Sequence, residues 1–171
     1  MTHAELCLRG KVWLRGTRRC RPVFSNCASV DEIPDAIGWS SSYKWHGSTV
    51  VEAKTSLSDF RADQKKRFEW VDPKNGYHYS MRRFSATNAR ELGLVKRTTS
   101  LMGDFRFYMC EPGIIPEWKV RQFAPDHGLL YVRGRQVLVV VDAPRREGVN
   151  TYGEIRYLRF AIINRKVSAH E

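Results

Sequence analysis

The run Thr49-Val50-Val51 passes directly into Glu52-Ala53-Lys54. An unbroken β-branched run favours an extended strand packed on both faces. In a strand, residues two apart project from one face, so Glu52 and Lys54 emerge together and Ala53 opposite. Such a pair at the end of an inner strand is either an ordinary ion pair or part of a site that holds a divalent cation and polarises a water. Spacing alone does not choose, because Asp63-Gln64-Lys65, Asp72-Pro73-Lys74 and Glu117-Trp118-Lys119 repeat it. Context favours Glu52. Asp72 precedes Pro73 in an expected loop, and Glu117 follows Pro116 in an expected turn. Asp63 and Lys65 stand two apart on an expected helix, where side chains diverge.

Asp35 follows Pro34 one expected strand earlier and can meet Glu52 across the sheet. The carboxylates of Asp35 and Glu52 with the carbonyl of Ala53 would give Mg²⁺ the hard oxygen ligands it prefers, with Mn²⁺ as an alternative. Lys54 would orient the attacking water or stabilise charge on a phosphate. Gln64 falls within an apolar stripe of Leu57, Phe60, Phe68 and Val71 at helical spacing. It is the polar member of that face, and a buried amide needs partners. The sheet edge bearing Glu52 and Lys54 could supply them. Lys65, Lys66 and Arg67 flank the stripe and would frame a phosphate-binding rim, although charge runs of this kind commonly line a solvated face.

The formal charge of +11 on 171 residues favours a polyanionic partner, with nucleic acid the commonest. Apolar residues make up 42%, enough for a core and against disorder. No stretch approaches the roughly 20 apolar residues that span a bilayer, and the first residues lack the apolar segment of a signal peptide. Cys7, Cys20, Cys27 and Cys110 form no C-x-x-C pair, so reduced thiols in a cytoplasmic protein are expected. Neither a Walker-type phosphate loop nor a Gly-x-Ser-x-Gly elbow occurs. His46, His78 and His127 stand isolated in sequence, and Trp39, Trp45, Tyr77 and Tyr79 are read mainly as packing residues.

Thr2-x-x-Glu5 reads as a capping box opening a helix from His3 to about Arg15. Strands are expected at 22–24, at 33–39 with a break at Gly38, and over Thr49–Val51. A second helix opens at Ser56-x-x-Asp59. Residues 72–103 read as an insertion without clear period, containing a short helix near 86–92. Phe105–Cys110 reads as a further strand, Leu129–Val132 and Val137–Val141 as a hairpin across Gly134, and 152–166 as a closing helix. The sum is a single domain over 1–171, of the α/β class, with one central mixed β-sheet flanked by helices.

Three blocks in this order resemble the PD-(D/E)xK nuclease superfamily, in the group found in phages and prophages. They are Ile33-Pro34-Asp35-Ala36-Ile37-Gly38-Trp39, Val51-Glu52-Ala53-Lys54-Thr55-Ser56-Leu57-Ser58-Asp59-Phe60, and Ala62-Asp63-Gln64-Lys65-Lys66. Met102–Tyr108 and Gly128–Val132 resemble the same group. The resemblance covers most of the chain, up to about Val141. It implies a restriction-endonuclease-like core and Mg²⁺-dependent hydrolysis of phosphodiester bonds, with Pro34-Asp35, Glu52 and Lys54 at the motif positions. In such folds an acidic residue on the first helix can join the site, which makes Glu5 an accessory candidate beside its capping role. The long 72–103 stretch and the segment from Asp142 onward depart from the pattern, and such loops set substrate choice.

The expectation is therefore a metal-dependent deoxyribonuclease, endo- or exonucleolytic, serving repair, recombination or phage biology. DNA is the expected partner, with RNA left open, no membrane, and any protein partner unknown. In the insertion, Arg82 and Arg83 are expected to contact phosphate. Two rival readings are a non-catalytic nucleic-acid-binding module that keeps the nuclease fold, and an interaction factor whose charge binds an acidic protein.

Overall fold

The computed structural model describes residues 1–25, 32–64, 68–80, 84–98 and 100–168. Helix α1 (His3–Gly16) starts as its sequence demands. The Thr2 hydroxyl accepts the Glu5 N–H, and the Glu5 carboxylate takes the Thr2 N–H in return. That reciprocal pair satisfies donors the first turn leaves open. Gly10 costs about 1 kcal/mol of helix propensity relative to alanine, and packing explains its presence. A Cβ there would stand 3.2 Å from Val51 Cγ1, so its absence lets α1 lie close on the sheet.

Along the chain follow β1 (Val23–Phe24), β2 (Ala36–Ser40), β3 (Gly47–Ala53), α2 (Leu57–Gln64), β4 (Phe68–Val71), β5 (His78–Ser80), α3 (Ala86–Glu91), β6 (Val95–Thr98), β7 (Phe105–Cys110), α4 (Glu117–Phe123), β8 (Gly128–Arg133), β9 (Gln136–Val141) and α5 (Thr151–Ser168). Six strands form the main sheet in the order β1-β2-β3-β7-β8-β9. The pairs β3–β7 and β7–β8 are parallel and the others antiparallel. Parallel neighbours need long connections. One contains α2 and the 68–98 segment, and the other is α4.

Strand alternation divides the core. Val51, Ala53, Phe107, Met109 and Leu130 pack with Leu6, Trp13 and Leu14 of α1. On the other face Tyr108, Cys110 and Leu129 pack with Phe60 of α2 and Val120 of α4. Val50 and Ile37 meet Tyr157 and Ala161 of α5. Each fully buried Phe or Leu contributes about 1.5–3 kcal/mol. Glu154 ties α5 down, accepting from Ser48 Oγ at 2.7 Å, from the Gly103 N–H at 2.8 Å and from Trp39 Nε1 at 3.2 Å. Just past α1, the fully buried Arg18 guanidinium lies 3.6 Å from the Trp45 ring centroid and 4.8 Å from that of Phe105.

Several expectations are corrected. Strand β2 starts at Ala36 and runs unbroken through Gly38, where a Cβ would meet Cys20 Cβ at 2.7 Å and Val23 Cγ2 at 2.9 Å. Helix α2 is described over Leu57–Gln64, and Phe68 and Val71 do not extend its stripe. They belong to β4, which pairs with β5 and β6 in a separate three-stranded sheet. Helical spacing between positions 60 and 71 was a coincidence of two elements. Among its described residues the inserted segment has a small core of Trp70, Ala89 and Leu94, with Tyr79 and Phe84 packed on it. Glu117 opens helix α4 behind Pro116 and does not sit in a turn. Among the described residues no helix is long and apolar enough to cross a membrane. Cys7, Cys20 and Cys110 are buried free thiols, and Cys27 lies outside the described residues.

Candidate functional site

Glu52 and Lys54 stand at the C-terminal end of β3 and project from the face opposite α1. Both are buried, at 7% and 4% exposure. Their side chains face each other, with Lys54 Nζ 3.9 Å from Glu52 Oε2. Asp35, just ahead of β2, turns its carboxylate to the strand between them. Its Oδ2 accepts the N–H of Ala53 at 2.8 Å, a ladder donor that β2 leaves unpaired where it begins. Its Oδ1 lies 3.3 Å from His3 Nε2. Asp35 thus lies beside the strand end that bears the Glu52–Lys54 pair, tied to it through the Ala53 backbone.

The Lys54 ammonium is held from a second side by Asp63 Oδ1 at 3.3 Å. Burial opposes its charge, but Asp63 and then Glu52 outweigh burial and raise its pKa. Asp63 also accepts from the Tyr108 hydroxyl at 3.1 Å, and Gln64 Nε2 donates to the same hydroxyl at 3.0 Å. Gln64 is half-buried and points at β7. Asp63 is thus part of the site, which corrects its dismissal as a diverging helical residue. Its carboxylate reaches Lys54, at the end of β3.

Beneath Glu52 lies Arg106 of β7, whose Nη2 is 3.2 Å from Glu52 Oε1 and 2.6 Å from Glu32 Oε1. Its Nη1 donates to the Met102 carbonyl at 2.7 Å and its Nε to His127 Nε2 at 3.2 Å. His127 Nδ1 is 3.0 Å from Asp126 Oδ1, and the ring stacks on Tyr108 with centroids 4.8 Å apart. Accepting at Nε2 places the His127 proton on Nδ1, facing Asp126. Burial pushes the Glu52 carboxyl up to about 8, with Arg106 and Lys54 pulling against it. Arg106 stays charged because Glu32 and Glu52 together overcome its burial.

Sequence reading missed Arg106, Glu32, Tyr108 and His127. One signal for Arg106 was present. An arginine inside Phe105-Arg106-Phe107-Tyr108-Met109-Cys110, an inner apolar strand, must find a partner for its charge. Glu32 and His127 carry no comparable local signal, since only the fold brings them to Arg106.

Glu5 is exposed, and its carboxylate is engaged by Thr2 in the capping box, which lowers its pKa. It serves the helix start. Lys65, Lys66, Arg67, Arg82 and Arg83 lie outside the described residues. Among the described residues, the His, Cys, Asp and Glu side chains close enough together to hold a metal ion are His3, Cys7 and Asp35, with ligand atoms within 4.8 Å of one another.

No family model matches the chain. No curated protein matches it either. Among solved structures it is similar to SPO1766, a protein of unknown function from Silicibacter pomeroyi. The TM-score is 0.53 at 17% identity, over 99% of this chain and 91% of that one. At that identity the likeness is one of fold, and it extends over the α/β architecture described above.

Proposed function

We propose that this chain is a restriction-endonuclease-like, metal-dependent nuclease that hydrolyses phosphodiester bonds of DNA. The observation that supports the reading is the bond from the Ala53 N–H to Asp35, which ties Asp35 to the strand end bearing the Glu52–Lys54 pair. The element order supports it. A helix precedes an antiparallel β1-β2-β3 meander, and after α2 the chain returns as β7, parallel to β3. The net charge of +11 suits a polyanionic substrate. Lys65, Lys66 and Arg67, next in sequence to Gln64, and Arg82 and Arg83 in the insertion are proposed to contact phosphate.

The residues fit a hard divalent cation. Asp35, Glu52 and the Ala53 carbonyl are oxygen donors near one strand end, the donor type that Mg²⁺ or Mn²⁺ takes. Asp35, Glu52 and the Ala53 carbonyl would hold the ion. When bound, it supplies Lewis acidity at a phosphoryl oxygen and acidifies a water. The chain's own residues do the rest. Lys54, charged and fixed by Asp63, stabilises negative charge developing on the phosphate. Tyr108 and Gln64 keep Asp63 in place. Arg106, locked by Glu32 and His127, sets the orientation of Glu52.

Supercoiled plasmid incubated with the protein and Mg²⁺ tests this. Divalent-dependent nicking is expected, abolished in Lys54→Ala. Equal cleavage by Lys54→Ala, or none by the wild type with Mg²⁺ or Mn²⁺, overturns it. A second reading, a DNA-binding module without catalysis, is favoured by the grip of Arg106 on Glu52, which resembles a structural ion pair. Salt-sensitive DNA binding with no cleavage in either metal would select it.

A further inference from the structure

We propose that His3, Cys7 and Asp35 form a binding site for a thiophilic divalent cation of the Zn²⁺ type. The site shares Asp35 with the nuclease reading but does not depend on it.

His3 and Cys7 stand four residues apart on α1, on one face of the helix. Cys7 Sγ is 3.5 Å from His3 Nδ1, and Asp35 Oδ1 is 3.3 Å from His3 Nε2. The imidazole thus lies between the thiol and the carboxylate. Modest ring rotation lets one nitrogen join Sγ and Oδ1 around an ion. In a tetrahedral zinc site, bond lengths of about 2.0–2.3 Å set ligand atoms roughly 3.3–3.8 Å apart. Ligand atoms already within 4.8 Å of one another need move little to reach that.

Two features prepare the cluster. The capping box of Thr2 and Glu5 fixes the first turn that carries His3. The Ala53 N–H fixes Asp35 through Oδ2, leaving Oδ1 directed at His3. His3 is exposed and Cys7 is buried, so an ion arrives from solvent over the imidazole and meets the thiol beneath it.

The donor set decides the class of ion. A thiolate, an imidazole and a carboxylate suit Zn²⁺ and its neighbours, whereas Mg²⁺ prefers oxygen alone. Three protein ligands leave a fourth position for water or a substrate group. The positive end of the helix dipole at His3 opposes a cation by about 0.3–1 kcal/mol. The negative charges of Asp35 and the Cys7 thiolate outweigh it. On binding, the S–H bond breaks, its proton goes to solvent and a sulfur–metal bond forms, with no change of oxidation state. Binding therefore strengthens as pH rises. Since Asp35 belongs to both sites, a thiophilic ion held here takes Asp35 from the Mg²⁺ set and inhibits cleavage.

Titrating the reduced full chain with Co²⁺, without nucleic acid, tests the site. The expected result is saturable 1:1 binding with a near-ultraviolet thiolate-to-cobalt charge-transfer band, removed by adding Zn²⁺. Cys7→Ser should abolish the band and His3→Ala should weaken affinity at least tenfold. Because Cys7 is buried, a thermal melt checks that its variant folds. The exposed His3→Ala decides the matter if it does not. Glu52→Gln should keep the band while losing Mg²⁺-dependent nicking, so the two proposals fail separately. Absence of the band in wild type, its persistence in Cys7→Ser, or unchanged affinity in His3→Ala overturns the proposal.

Discussion

Asp63 Oδ1 lies 3.3 Å from the Lys54 ammonium, and both side chains are at least nine-tenths buried. The bond joins the end of α2 to the end of β3. Removing one member of a buried pair leaves the other charge uncompensated, at a cost of about 3–5 kcal/mol. Asp63→Ala should lower stability by that amount in urea unfolding, partly restored by the double variant Asp63→Ala/Lys54→Met. A loss under about 1 kcal/mol would show that the pair does not hold these elements.

Glu52 gives a pH dependence of definite sign. Its folded pKa, about 8, is raised above the ordinary carboxylate value of 4.5. The folded state then keeps a proton that the unfolded state has released. Stability from this group is fully present below about pH 4.5 and is lost as pH rises through about 8. Urea midpoints measured from pH 5 to 8.5 should fall more steeply for wild type than for Glu52→Gln. Parallel profiles would remove Glu52 as the source.

The proposed catalytic set predicts a division of labour. Asp35→Ala and Glu52→Ala should lose Mg²⁺ binding and cleavage together. Lys54→Ala should lose cleavage while keeping most of its metal affinity and its DNA binding, which the basic residues supply. Calorimetric Mg²⁺ titration beside a nicking assay separates the effects. Full cleavage by Glu52→Ala would end the assignment.

Arg18 predicts an unusual tolerance. Its Nε and Nη2 find no hydrogen-bond partner among the described residues, and burial lowers its pKa to about 10 against the opposing charge of Asp142. Contact with aromatic faces returns about 2 kcal/mol when desolvated, while each unsatisfied buried donor costs about 1–3 kcal/mol. Arg18→Met, which keeps much of the volume, should be at least as stable as wild type. Arg18→Ala should lose 2 kcal/mol or more through the cavity it leaves. Urea unfolding of the two variants decides between them. A large loss in Arg18→Met would mean that the charge itself is needed.

What was legible in the sequence was written locally. Thr2 and Glu5 announce α1 within four residues, and the run into Glu52 announces β3. Gly134, at φ 56°, announces the β8–β9 turn. The pairing of Glu52 with Lys54 follows from strand alternation alone. What stayed hidden depends on distant elements. Asp63 meets Tyr108 across 45 residues and Arg106 meets Glu52 across 54. No periodicity within α2 shows that its last turn faces a tyrosine on β7. The 68–98 sheet was hidden because its strands are three or four residues long, too short for alternation to stand out from loop composition.

The inserted sheet also bears on how the chain reaches its folded state. The parallel partners β3 and β7 are separated by the whole segment, and Ser48 meets Asp104 across 56 residues. Closing a loop costs entropy that grows with its length, about 0.6 kcal/mol for each doubling, and such non-local pairing is slow. A segment that collapses on Trp70, Ala89 and Leu94 shortens the flexible tether that must be closed. A segment that folded first would thus set how fast the halves of the sheet find each other.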